Sequence, residues 1–270
     1  RLAKTVYLEF GDEGELVDYS LERTLVSLDR EMTYVEVKEL LDAADGGEST
    51  PADSFGAGIE LEEEQARSMA KWSREIWDVI TGLDELARRL RARRRRVGSV
   101  DLDVPEYDVR VDEEGRVTAV SQIERDRSHD LVEEFMLGAN CAVARLLRRE
   151  NLPGIYRVHE EPEQEDLNAF ADFILTVMER QIDPFDRGAI QELLKDVSGS
   201  NLAEAVNMEL LRCMQRAQYS EEPAPHFALH FQLYSHYTSP IRRYPDLVVH
   251  QILDQHLDGG LSPEQRRRWK

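Results

Sequence analysis

Over the first thirty residues the apolar positions recur at every second place. Val6, Leu8 and Phe10 alternate with Thr5, Tyr7 and Glu9, the period of a strand with one buried face. Gly11-Asp12-Glu13-Gly14 is a turn, and a second strand returns through Leu25 to Leu28. Thr33-Tyr34-Val35-Glu36 is a capping box, opening a short helix through Leu41. Residues 42–58 are polar and rich in glycine, the composition of a loop. From Glu60 to Arg96 the period becomes helical, as one long helix or two. Met69, Trp72, Ile76, Ile80, Leu83, Leu86 and Leu90 recur there at steps of three and four.

The pattern then repeats its two modes. Val109 and Val111, the turn Asp112-Glu113-Glu114-Gly115, and Val117 onward form another hairpin. Ser128 caps a helix whose buried side carries Leu131, Phe135, Met136, Ala139, Val143, Leu146 and Leu147. Helices follow at about 163–181, 187–196 and 201–216, the middle one capped by Asp186. Between His226 and Tyr237 the period is two again. Phe227, Leu229, Phe231 and Leu233 share one face, and His226, Ala228, His230, Gln232, Tyr234 and His236 the other. A final long helix carries Leu247, Ile252, Leu253 and Leu257, and Ser262-Pro263-Glu264-Gln265 starts one more. Strand hairpins at both ends with several long helices between them predict an α+β fold.

Composition narrows the function. The 270 residues are 41% hydrophobic, enough for one large domain or two small ones. No apolar run approaches the roughly 18 residues of a membrane span. The chain opens Arg1-Leu2-Ala3-Lys4 without an initiator Met, and its last helix stops in the second turn at Lys270; both suggest a fragment. Cys141 and Cys213 lie in apolar helical patterns, as reduced core thiols of a cytoplasmic protein do. A zinc site from His226, His230, His236 and Cys213 is disfavoured, because on a strand His226 and His230 stand roughly 13 Å apart. The net charge of −20 argues against nucleic-acid binding by the whole surface, but a local basic patch is sufficient. Positive charge is clustered at Arg88–Arg96, Arg242-Arg243 and Arg266–Arg268. The first run reads as a solvated helix end, where cations suit the C-terminal dipole.

The most informative stretch is His236-Tyr237-Thr238-Ser239-Pro240-Ile241-Arg242-Arg243-Tyr244-Pro245-Asp246. Here a strand is expected to run into a helix with Ser239 as N-cap and Pro240 at its first position. The free N–H groups of that turn and the guanidinium of Arg242 at the third position would suit a phosphate. Tyr237 and Tyr244 flank it and could pack on a base or ribose. The competing reading is an arginine pair neutralising Asp246 and nearby acids.

This stretch, with His226-Phe227-Ala228-Leu229 before it and Leu247 and His250 after it, is very similar to the signature of the ribonuclease II/R family catalytic domain, of RNB type. Three further blocks keep that family's order: Met32-Thr33-Tyr34-Val35-Glu36-Val37, Ser128–Leu137 with Ala139-Asn140, and Leu152–His159. The resemblance implies 3′→5′ hydrolysis of single-stranded RNA to nucleoside 5′-monophosphates with two divalent metals, usually magnesium. By motif, Arg242 would be catalytic, meeting the scissile phosphate. Glu133 and Tyr34 would meet the ribose 2′-hydroxyl that separates RNA from DNA. Ser239, Arg243, Tyr237 and Tyr244 complete the expected RNA contacts. Leu102 stands where relatives place an aromatic residue that stacks on the 3′-terminal bases. The family's metal ligands are an aspartate cluster upstream of these blocks. Asp101 and Asp103, or Asp12, Glu13 and Glu15, do not match it. The chain is thus expected to be the later two-thirds of an RNB domain, without metal ligands or flanking OB-fold domains, and inactive by itself. The partner is expected to be single-stranded RNA, not DNA or membrane, and the chain a monomer. The alternatives are an RNA-binding homologue without catalysis and an acidic protein-interaction scaffold.

Overall fold

The structure, a computed structural model, describes residues 1–45, 63–102, 104, 106–112, 114–123 and 126–268. Strand β1 (Leu2–Phe10) pairs antiparallel with β2 (Leu16–Leu25). Gly14, at φ +77°, closes the turn between them by donating its N–H to Gly11 at 2.9 Å, a backbone conformation that needs no Cβ. Helix α1 (Tyr34–Asp45) begins at the predicted capping box: Thr33 N–H donates to Glu36 Oε2 at 2.7 Å, and Glu36 N–H to Thr33 Oγ1 at 3.2 Å. The helix continues four residues into the predicted loop; residues 46–58 of that loop lie outside the described residues. Helix α2 (Glu63–Val97) is a single element of 35 residues, roughly 52 Å long. The side chains of Met69 and Trp72 lie outside the described residues.

Strands β3 (Glu106–Val111) and β4 (Val117–Ile123) form the second hairpin. Helix α3 (Arg127–Arg149) follows, then β5 (Tyr156–Val158), α4 (Gln164–Met178), α5 (Arg187–Val197) and α6 (Ala203–Cys213). Strand β6 (Gln218–Ser220) pairs with β5, and α7 (Tyr244–Leu257) and α8 (Pro263–Arg268) close the fold. Among the described residues the sheets are three separate antiparallel pairs among helices, the α+β arrangement expected.

Helix α3 is the axis of the molecule. Ala142, Ala144 and Leu147 on it have no exposure. On one side Val143, Leu146 and Leu147 meet Val249, Ile252 and Leu253 of α7, with Val6 and Leu21 of the first hairpin packed on that cluster. Gly138 lets the hairpin lie close: a Cβ there would stand 3.2 Å from Leu8 Cδ1 and 3.3 Å from the Phe10 ring. A second cluster is built from α4, α5 and α6 around Phe170, Ile174, Leu193 and Val206. A third joins Leu40 and Leu41 of α1 to Trp77 of α2. Each such buried side chain contributes about 1.5–3 kcal/mol relative to exposure.

Three sequence expectations change. First, Asp126, not Ser128, caps α3, accepting the Ser128 N–H at 3.0 Å. Both residue types cap well, so the pattern alone did not decide. Second, His226–Tyr237 is not a strand. His226 N–H bonds to Phe231 O at 2.8 Å across a tight turn, and His230 adopts φ +55°. The period of two does not track burial: Leu229 and Phe231 from one expected face and Tyr234 from the other pack together on Leu137 and Cys141 of α3. The 13 Å separation argued for His226 and His230 therefore loses its basis. Third, α7 starts at Tyr244 rather than Ser239, with Pro245 in its first turn. A helix begun at Ser239 would put Pro245 in its interior, where its ring clashes with the preceding turn and a hydrogen bond is lost.

The buried amide of Asn140 fastens the segment after that turn to α3. Its Nδ2 donates to Tyr234 Oη at 3.0 Å, and its Oδ1 accepts the Tyr237 N–H at 2.9 Å. Asn140→Leu strips both partners in a buried place, and is expected to lower the unfolding free energy by about 2–4 kcal/mol. Urea titration followed by circular dichroism checks this; a loss below about 0.5 kcal/mol would show the bonds to be dispensable.

Candidate nucleic-acid interface

The site is built on the seam between α2 and α3. The buried stripe of α2 passes through Trp77, Asp84, Ala87, Leu90 and Arg94, so two charged residues occupy core positions. Each takes a partner from α3. Asp84 accepts from Arg127 at 2.6 Å, and Arg94 donates to Glu134 at 2.8 Å. Between them Arg91 pairs with Asp130. Arg94 also reaches Asp101 at 2.6 Å and Ser99 at 3.1 Å, and Arg95 joins Asp101 at 2.8 Å. Burial works against the charge of Arg94, yet Glu134 and Asp101 outweigh it and raise its pKa. Burial likewise opposes the Asp101 charge, but Arg94 and Arg95 hold its carboxyl below the usual range. The arginine run is thus only partly the solvated helix end expected: Arg88 and Arg96 are exposed, whereas Arg94 is 7% exposed and fully engaged.

At the start of α3 two helix caps face each other. Tyr34, the first residue of α1, lies flat on His129, with ring centroids 4.2 Å apart and planes 9° apart. His129 Nδ1 is 3.0 Å from Asp126 Oδ1, the capping carboxylate. Burial raises the Asp126 pKa, but hydrogen bonds from Ser128 and His129 more than offset this and lower it. Glu133 follows His129 by four residues, on the same face of α3. Tyr34 and Glu133, both expected at a ribose, therefore share one surface.

The signature stretch forms a pinned turn. Ser239 O accepts from the N–H groups of Arg242 and Arg243 at 3.3 and 3.0 Å. Asp246, with no exposure, accepts from Ser239 N–H at 2.8 Å and from Arg243 at 2.7 Å. The two arginines divide the two readings between them. Arg243 neutralises Asp246, while Arg242 is exposed and has no ion-pair partner among the described residues. Tyr244 beside it is 75% exposed. Tyr237 is instead a core residue, 5% exposed, stacked on His250 at 4.3 Å and donating its hydroxyl to Lys4 O at 3.2 Å. Its ring is not on the surface where it was expected.

Tyr234 ties the two regions together, because its hydroxyl feels both Glu133 and Arg243; burial, eased by the Asn140 bond, pushes its pKa up to about 12. Leu102 stands apart from Tyr34 and Glu133, half-buried against the α4–α6 cluster. Its link to them is Arg94, which grips Asp101 before it and Glu134 after Glu133. Arg94, His129 and Asn140 were not singled out from the sequence. The one signal for Arg94 is that it continues the apolar stripe of α2 four residues after Leu90. Among the described residues no three His, Cys, Asp or Glu side chains are grouped to hold a metal ion; Asp103 lies outside those residues.

The RNB domain family model matches residues 1–259. Ribonuclease R 1 of Lactococcus lactis is 31% identical over 100% of this chain and 31% of its own length. Ribonuclease R of Thermotoga maritima is 33% identical over 98% of this chain and 35% of its own. The chain thus spans about a third of the length of the curated relatives it matches. Mycoplasma genitalium RNase R, solved in complex with ribose-methylated single-stranded RNA, superimposes with a TM-score of 0.78 at 22% identity, over 100% of this chain and 39% of that one. That likeness shows a shared fold.

Two predictions follow from the seam and the turn. Arg94→Ala leaves Glu134 buried without its cation and is expected to cost about 3–5 kcal/mol of stability, read as a lower urea midpoint; an unchanged midpoint would show that the Arg94–Glu134 pair does not hold the seam. The second concerns acid. Burial, then the neighbouring His159 and Arg157, push the His226 pKa down to about 3, and burial with Arg243 pushes His236 down to about 4. Depressed folded values give stability that is complete above the unfolded value near 6.5 and lost as pH falls toward 4, at up to roughly 1.4 kcal/mol per pH unit for each group. His226→Asn is expected to flatten that slope in melting curves taken between pH 7 and 4.

Proposed function

Because the chain belongs to the RNB domain family, we propose that it is the RNA-gripping portion of a cytoplasmic 3′→5′ exoribonuclease that acts on single-stranded RNA, not DNA, as a monomer. The observation that supports this most is the division of labour at the signature turn. One guanidinium, Arg243, fixes the turn on Asp246; the one before it, Arg242, is exposed and has no ion-pair partner among the described residues. A pre-positioned, unpaired guanidinium is suited to a phosphate whose charge grows in the transition state. Tyr244 offers an exposed ring beside it for a base, and Ser239 serves by anchoring the turn. Tyr34 and Glu133 take the ribose 2′-hydroxyl, and Leu102 wedges against a terminal base. Arg242 binds and orients the phosphate.

In a protein that supplied the ligands, two divalent ions, which we propose to be magnesium, would activate the water and steady the leaving oxygen. The described residues do not fit them: none forms a ligand set. On this proposal the chain by itself binds RNA without cleaving it, and hydrolysis to nucleoside 5′-monophosphates belongs to a protein that supplies those ligands.

The test is fluorescence anisotropy with a labelled single-stranded RNA and the same sequence as DNA, in EDTA. RNA binding that weakens steeply with salt is expected, with Arg242→Ala about tenfold weaker and its salt slope reduced by about 1. No affinity at low salt would overturn the proposal and leave an acidic interaction scaffold as the better reading, and equal affinity for DNA would overturn the preference for RNA. Laddering of a 5′-labelled RNA with magnesium would overturn the expected lack of cleavage.

A further inference from the structure

We infer that His129 is the positioning residue of the sugar site, and that its stack on Tyr34 sets the preference for RNA over DNA. The inference rests on the reading of Tyr34 and Glu133 as 2′-hydroxyl contacts.

Tyr34 is 47% exposed, so its ring would be free to turn unless something held it. Its backbone is fixed by the reciprocal Thr33–Glu36 bonds at the start of α1. Its ring lies against His129 at 4.2 Å, nearly parallel. His129 has its own restraint, the 3.0 Å contact of Nδ1 with Asp126. Asp126 is in turn held by the Ser128 N–H it caps. The relay runs from the cap of one helix through two flat rings to the first residue of another. His129, its middle member, lies one helical turn before Glu133 on α3. A hydrogen bond to a single hydroxyl requires placement within about 0.5 Å, and an exposed tyrosine ring has that only with support.

A role in stability alone fits these residues less well. His129 retains 34% side-chain exposure, and a stack between two such rings contributes little to folding. The consequence of removing it falls on the orientation of Tyr34.

The variants are His129→Ala, His129→Phe and Tyr34→Phe. Each is compared for affinity to matched RNA and DNA strands in EDTA, with circular dichroism to verify the fold. His129→Ala is expected to lower the RNA-to-DNA affinity ratio about fivefold through RNA alone, and His129→Phe, which keeps a flat ring, to restore it to within about twofold. Tyr34→Phe tests the underlying reading. If it lowers the ratio and His129→Ala does not, only the positioning role fails; if neither lowers it, the sugar-site reading fails. Equal weakening toward RNA and DNA in His129→Ala would mean a structural role and overturn the inference. A second measurement needs no RNA. Stacking on His129 should shift the Tyr34 ring protons upfield in aromatic NMR spectra, and His129→Ala should abolish that shift; unmoved resonances would also overturn it.

Discussion

Three crossed ion pairs between α2 and α3 are the constraint on which the remaining structure depends. Asp84 with Arg127, Arg91 with Asp130 and Arg94 with Glu134 follow one another along both helices in the same order, so the helices run side by side in one direction. Apolar ridges alone permit small slips between such helices, since one leucine replaces another at modest cost. A buried guanidinium facing a buried carboxylate does not, because a shifted register would leave both charges uncompensated. The pairs therefore specify the register, whatever their net contribution to stability.

That register carries directly to the expected RNA contacts. Glu133 is next to Glu134, and Leu102 is next to Asp101, and Arg94 grips both acids. Two side chains separated by about thirty positions in sequence are thus referred to one buried cation. On the far side of α3, Asn140 holds Tyr234 and Tyr237, and with them the approach to the signature turn. The axis helix is in effect a ruler with charged marks on one edge and an amide mark on the other.

The sequence made the regular elements legible wherever the period was long and the punctuation unambiguous. The Thr33–Glu36 capping box, the Asp186 cap and the Ser262–Gln265 cap all stand as read, because these motifs satisfy their own backbone groups locally. Failures came where the deciding partner is distant. The alternation between His226 and Tyr237 does not mark one core face: His226, Tyr234 and Tyr237 are buried while Phe227, Leu229, Phe231 and Leu233 are half-buried, because the segment is irregular rather than a strand. Ser239 and Pro240 look like a helix start, and only the later Pro245 forbids it. The arginine run looked solvated because a sequence does not display that Asp101, Asp130 and Glu134 fold onto it. The ribose contacts were legible as a family pattern, whereas the rings that meet at Tyr34 and His129 stand 95 positions apart on two helices and had no local mark.

The first hairpin is fastened to the last long helix. Lys4 meets the His250 carbonyl at 3.0 Å and Asp254 at 2.7 Å, and Arg23 bridges Asp254 and Asp258. Val6 and Leu21 complete a core whose other members include Val249, Ile252 and Leu253. On a ribosome, the hairpin therefore emerges long before the surface that covers it. Val143, Leu146 and Leu147 of α3 follow it first, and Val249, Ile252 and Leu253 of α7 only after more than two hundred residues beyond the hairpin, a span of tens of seconds at elongation rates of about 5–20 residues per second. The order of the chain thus makes closure by α7 a late, non-local event in folding.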